Sequence, residues 1–165
     1  MDNRGLTTDL LKGAVAGALA TCVMNWTTAW LYERESEALQ KRENEARDGQ
    51  SAYVTAAESL GRSAGWELSD DAKERGGTAI HWATGVIAGM KYAAFRRRWP
   101  AVAAGFGLPF GVAFFLAMDE VMNPLLGLTP GPGAFPWQTH ARGLSGHLAF
   151  GAANEAALRA LDRIA

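Results

Sequence analysis

The chain has one cysteine, Cys22, among 165 residues, which excludes an internal disulfide and a CxxC metal knuckle. It also lacks an excess of charge. Sixteen basic and seventeen acidic residues leave a net charge of −1, so affinity built on phosphate neutralisation is excluded and no nucleic-acid partner is expected. Catalytic motifs are missing as well. There is no P-loop, no G-x-G-x-x-G after a strand and no H-E-x-x-H, and Ser145 sits in Gly143-Leu144-Ser145-Gly146-His147 rather than in a nucleophile elbow. Without a nucleophile or a cofactor motif the sequence does not read as an enzyme, and no organic cofactor is expected. Strand-like alternation of useful length is absent too, which leaves an all-α reading.

What the chain has is apolar residues, 48% of the total, spread very unevenly. Eleven of the seventeen acids fall between Glu33 and Glu74, and long stretches elsewhere carry none. Gly13–Tyr32 is twenty residues without a formal charge, enough at 1.5 Å per residue to cross roughly 30 Å of hydrocarbon. Gly76–Met90 is fifteen residues and reaches that length when Lys91 snorkels, and Trp99–Met118 is again twenty. A fourth stretch from Gln138 to Leu158 contains Arg142, His147 and Glu155, and it is retained because three spans need a partner to complete a bundle. The expected fold is a four-helix transmembrane bundle with spans at about 10–32, 76–96, 99–122 and 138–160 and a polar helical extramembrane segment, 33–75, between the first and second. The lipid bilayer is then the first partner.

Glycine agrees with a membrane setting, because lipid supplies no hydrophobic drive between helices and close backbone contact takes its place. GxxxG spacing occurs at Gly13 and Gly17, Gly85 and Gly89, and Gly107 and Gly111, one pair per proposed span. Pro109 falls inside the third span, where a membrane helix tolerates it. Trp30, Trp82 and Trp137 fall near run ends on one side and Trp99 on the other, as an interfacial belt requires. Basic residues flank the opposite ends: Arg4 and Lys12, then Arg96-Arg97-Arg98, then Arg159 and Arg163. By the positive-inside rule both termini are cytoplasmic, with 33–75 and the 127–137 loop on the outer side.

In the outer segment, Glu33 to Arg47 reads as the first helix running on past the membrane until Asp48-Gly49 stops it. Tyr53, Ala57, Leu60 and Ala64 recur at helical spacing, and Ser69-Asp70-Asp71 reads as a helix N-cap with acids in the first turn. Ionisable groups within the spans are costly and mark function or pair with one another. His81, Asp119, Glu120, His140 and His147 all fall in the outer half of the bundle, and His140, His147 and Asn154 repeat at seven-residue steps along one face. Three readings stay open for this cluster: paired anchors at the headgroup level, a path for protons or a cation, or a divalent metal held by His81, Glu120 and His147. Asn25 reads as an interhelical hydrogen-bond donor, and Glu155 as the partner of Arg159 four residues on.

The segment Asn123-Pro124-Leu125-Leu126-Gly127-Leu128-Thr129-Pro130, then Pro136-Trp137, then Gly146-His147-Leu148, preceded by a helix bearing His and Trp, resembles the YagU-like family of small bacterial inner-membrane proteins. The resemblance runs from about Ala79 to the C-terminus. It implies a four-helix integral protein of the bacterial cytoplasmic (inner) membrane and carries over Pro124, Gly127, Pro130, Trp137 and His147 as motif positions, with no reaction attached. Two functions follow. One is an accessory or scaffold protein that binds a membrane-protein partner or its own copy. The other is a small transporter or channel in which the His and carboxylate groups line a path.

Overall fold

The first uncharged run forms the body of a 30-residue helix, α1 (Asn3–Tyr32), in a computed structural model that describes residues 3–164. The side chains of Asn3 and Arg4 lie outside that description, so the flanking charge expected of Arg4 is not placed. α1 does not run on into the charged segment. A turn follows Tyr32, and Ser36 caps a separate helix, α2 (Glu37–Ala46), by accepting from the Leu39 N–H at 3.4 Å. Asp48 and Gly49, at φ 50° and 73°, end it. Helix formers fill this stretch on both sides of the break, and the Ser36 cap is the local signal that separates them.

α3 (Ala52–Ser63) begins at another serine cap, Ser51. Its buried face is Val54, Ala57 and Gly61, while Leu60 is 64% exposed, so the expected stripe through Tyr53, Ala57, Leu60 and Ala64 is displaced. Small residues decide the rotation: a Cβ on Gly61 would meet Leu68 at 2.8 Å, and one on Gly77 would meet the Val54 N at 2.9 Å. α4 (Asp70–Arg98) starts where the sequence places it, with the Ser69 side chain accepting from Ala72 N–H and Asp70 and Asp71 in the first turn.

The third uncharged stretch is not the single rod expected over 99–122. Pro100–Gly107 forms a 3-10 segment in which Ala104 is extended and Gly105, Phe106 and Gly107 have φ of 61°, 58° and 79°. α5 (Leu108–Phe115) starts only after that break, with Pro109 in its first turn. Pro109 therefore opens a helix rather than interrupting one, because its missing N–H is unpaired there in any case. The rod continues as a wide π turn over Leu116–Met122 and a last turn, α6 (Asn123–Leu125). The Gly127 N–H bonds to the Pro124 O and the Leu128 N–H to the Asn123 O, with Gly127 at φ 68°, which is a Schellman stop. After a proline-rich loop, α7 (Trp137–Ile164) closes the fold.

α1 lies between α4 and α7, α5 packs on α7, and α3 packs on α4. All three expected glycine pairs sit at these contacts. A Cβ on Gly13 would come within 2.7 Å of Gly89 O, one on Gly17 within 2.6 Å of Gly85 O, and one on Gly111 would fall on the His147 backbone. The interior is small, with Ala16, Tyr92, Ala93 and Leu158 in one cluster and Ala20, Ala88 and Phe150 in another. The outside is apolar: Leu11, Val15, Leu19, Val23, Trp26 and Trp30 make an exposed stripe down α1, and every tryptophan in the chain is at least 36% exposed. Two helical stretches, Gly5–Tyr32 and Pro100–Leu125, are long and apolar enough to cross a membrane.

Candidate functional site

The extra residue per turn in the π segment brings the neighbouring acids Asp119 and Glu120 to the wall of one cavity, which they share with Arg47, Tyr53, Asn123 and His140. The cavity holds about 200 Å³ and lies between α3, the π turn, the start of α7 and the proline-rich loop, with Pro130 in its lining. Burial, and then the charge of Asp119, push the Tyr53 phenol up to about 12. Tyr53 is therefore a neutral donor at neutral pH. Its ring stands edge-on to His81 at 4.7 Å between centroids, so it joins the cavity to the helix beneath.

Each histidine has a partner in the chain. His140 Nδ1 is 2.6 Å from Glu120 Oε1 and Nε2 is 3.0 Å from Pro132 O. Both ring nitrogens thus face oxygen atoms of the chain. His147, deeper and only 3% exposed, donates from Nδ1 to Gly143 O at 2.9 Å, with Asp119 Oδ2 farther off at 3.7 Å. Phe114 and Phe115 hold its ring edge-on at 4.9 and 5.6 Å. His81 Nε2 donates to Asn25 Oδ1 at 2.8 Å. The interhelical bond expected of Asn25 is thus present, with Asn25 accepting rather than donating. Among the described residues, His81 Nδ1 and both amide atoms of Asn154 are buried without a hydrogen-bond partner.

The structure brings Asp119, Glu120 and His140 to one cavity and sets His147 behind Asp119. It places His81 against Tyr53, and among the described residues no hydrogen bond or ion pair joins His81 to Glu120 or His147. No group of three or more His, Cys, Asp and Glu side chains among the described residues is arranged to hold a metal ion. Of the motif positions, Pro124 and Gly127 form the stop after α6, Pro130 lines the cavity, and Trp137 is 72% exposed at the start of α7.

Beside the cavity lies a charge cluster that the sequence does not announce. Arg142 Nη1 is 2.6 Å from both carboxylate oxygens of Glu35, and Nη2 is 2.6 Å from both of Glu43. Glu43 is 1% exposed and also accepts from Thr139 Oγ1 at 2.8 Å and pairs with Arg47. The Arg142 guanidinium stands 4.9 Å from the Tyr32 ring. Burial, and then the charge of Arg142, hold the Arg47 guanidinium below its ordinary range. One arginine near the start of α7 therefore fixes α2 and the turn after α1. The signal was its position, since an arginine in an otherwise apolar stretch demands a carboxylate.

The opposite end has its own network. Glu155, fully buried, accepts from Tyr92 Oη at 2.8 Å and Arg159 Nε at 2.6 Å and lies 3.1 Å from Arg96 Nε. The expected Glu155–Arg159 pair is present within a larger set. Lys12 and Arg96 both bond Asp162, at 3.1 and 2.7 Å, and Arg97 bonds Asp9 at 2.8 Å. Burial pushes the Asp162 carboxyl up, but the bonds from Arg96 and Lys12 outweigh it and hold the group below the usual carboxylate range. These contacts gather the start of α1, the end of α4 and the end of α7.

No curated protein and no solved structure matches the chain. One family model does, described as a protein of unknown function, DUF1440, and it covers residues 38–156, from α2 through the cavity and the Arg142 cluster to Glu155. The chain belongs to the DUF1440 family, whose matched region takes in Glu43, Arg142 and the three histidines.

Proposed function

We propose that this chain is an accessory or scaffold protein of the bacterial cytoplasmic membrane, with α1, α4, the α5–α6 stretch and α7 crossing the bilayer. Both termini lie on the cytoplasmic side, and α2 and α3 cap the outer end, where they offer their exposed polar faces to a membrane-protein partner or a second copy. The observation that carries the reading is the apolar exterior around a small-residue interior: α1 turns Leu11, Val15, Leu19, Trp26 and Trp30 outward while Ala16 and Ala20 pack inside. Water would penalise such a surface at about 25 cal/mol per Å², whereas lipid does not. Lys12 and Arg96-Arg97-Arg98, gathered at one end, support the orientation. The likeness of Asn123–Pro130 and Gly146-His147-Leu148 to the YagU-like family supports the same setting.

The pairing of each histidine within the chain favours a structural role for the cluster, which locks α3, the π turn and α7 together. His147→Ala then lowers stability in detergent by about 1–3 kcal/mol through lost ring packing and a lost hydrogen bond. Proton or cation flux in proteoliposomes equals that of empty vesicles for both proteins. The second reading, a path for protons or a cation past His81, Asp119, Glu120, His140 and His147, is favoured by the unpartnered His81 Nδ1 and Asn154 amide, which leave polar capacity unused inside the bundle. It requires a flux above background that His147→Ala abolishes.

A further inference from the structure

The break at Gly105–Gly107 has a geometric consequence. It sends α5 along α7 and leaves α4 and α5 apart, touching through the 3-10 segment and the Tyr92–Phe110 ring contact at 4.8 Å. Between them runs a cleft of about 670 Å³, walled by Ile87, Phe95, Phe110, Ala113, Phe114 and Met118. That volume lies within the roughly 300–1,000 Å³ of small-ligand sites. Its polar members are Thr84 and Lys91. The Thr84 hydroxyl donates back to Ile80 O at 2.8 Å. Lys91 is exposed and has no partner among the described residues, whereas Lys12, Arg96, Arg97 and Arg159 at this end of the bundle each meet a carboxylate.

We propose that this cleft holds one acyl chain of an anionic lipid, with Lys91 meeting the headgroup phosphate. The proposal rests on the membrane reading above and adds a ligand to it. From Thr84 to Phe95 the cleft follows about 16 Å of α4, close to half the hydrocarbon thickness, so it fits a chain from the leaflet on the Arg96–Arg98 side. The lysine sets the sign of the headgroup. Lying about 8 Å short of Arg96 along the helix, its ammonium reaches the interface by snorkelling and finds an anion there that the chain itself does not provide.

The test is native mass spectrometry of the full chain purified in mild detergent and titrated with phosphatidylglycerol or phosphatidylcholine, beside alkaline carbonate washing of its membranes. Wild type retains one phosphatidylglycerol per chain, with roughly fivefold preference over phosphatidylcholine, the effect of a single lysine beside an anionic surface. Lys91→Gln removes the preference and keeps binding. Ala113→Phe with Ala117→Phe, both exposed positions on the cleft wall, removes retained lipid while leaving the protein resistant to the carbonate wash. The proposal is overturned if wild type resists the wash yet retains no lipid, if the filled variant retains as much as wild type, or if a dimer takes the place of the lipid adduct. Release of wild type by carbonate overturns the membrane reading itself.

Discussion

Arg142→Leu destabilises the protein by about 3–5 kcal/mol, measured by denaturant unfolding in detergent, because it leaves Glu35 without its ion partner and takes one of two arginines from the buried Glu43. Glu43 is 1% exposed, and its side chain is satisfied by Arg142, Arg47 and Thr139 together. Glu35 has Arg142 as its ion partner, with Nη1 2.6 Å from both oxygens. The two terminal nitrogens of the planar guanidinium each meet a different carboxylate, so Arg142→Lys recovers only part of the loss: a single ammonium cannot hold both in the same way. The double variant Arg142→Leu with Glu43→Gln loses less than the sum of the two single changes, since the cost of each is dominated by the charge left behind. The local effect is specific. α2 detaches from α7 and becomes sensitive to protease, while the glycine-lined contact of α1 with α4 persists. Additivity of the two substitutions, or an unchanged α2, contradicts this account.

Gly89→Leu has the second large effect. A Cβ at Gly89 falls on the backbone of Gly13 and Gly17, so no rotamer change can relieve it and α1 must move off α4. In lipid that separation is especially costly, because the close backbone approach is what holds two such helices together. A loss of about 3 kcal/mol or more in detergent stability is expected, at the upper end of overpacking costs. The matched control is Gly133→Ala in the proline-rich loop, where a Cβ has nothing within 4 Å, and stability there stays within about 0.5 kcal/mol of wild type. If both substitutions have the same effect, close packing of α1 on α4 is not what stabilises the bundle.

Features that rest on local chemistry were legible in the sequence. Ser69 with Asp70 and Asp71 started α4 as a cap should, and the GxxxG pairs marked helix contacts because spacing of four puts both glycines on one face. Features that depend on distant partners were not. Glu33 to Arg47 is helix-forming almost throughout, and the turn between α1 and α2 is set by where Glu35 and Glu43 must lie to reach Arg142, about a hundred residues on. The third stretch looked like one apolar rod because hydropathy does not record that Gly105, Phe106 and Gly107 have positive φ. In the candidate site the histidines and acids were readable as ionisable groups in apolar surroundings. Tyr53 was not, because its role comes from the docking of α3 rather than from its neighbours in sequence.

The most direct measurement is maleimide labelling of Cys22, which lies near the middle of the uncharged run of α1 and is exposed on the surface of the fold. In native membrane vesicles, intact or inverted, a membrane-impermeant maleimide leaves Cys22 unmodified and labels it after solubilisation in SDS, while an added Glu67→Cys in the outer segment reacts without detergent from one side. Rapid labelling of Cys22 in untreated vesicles would place that face of α1 in water and contradict the account.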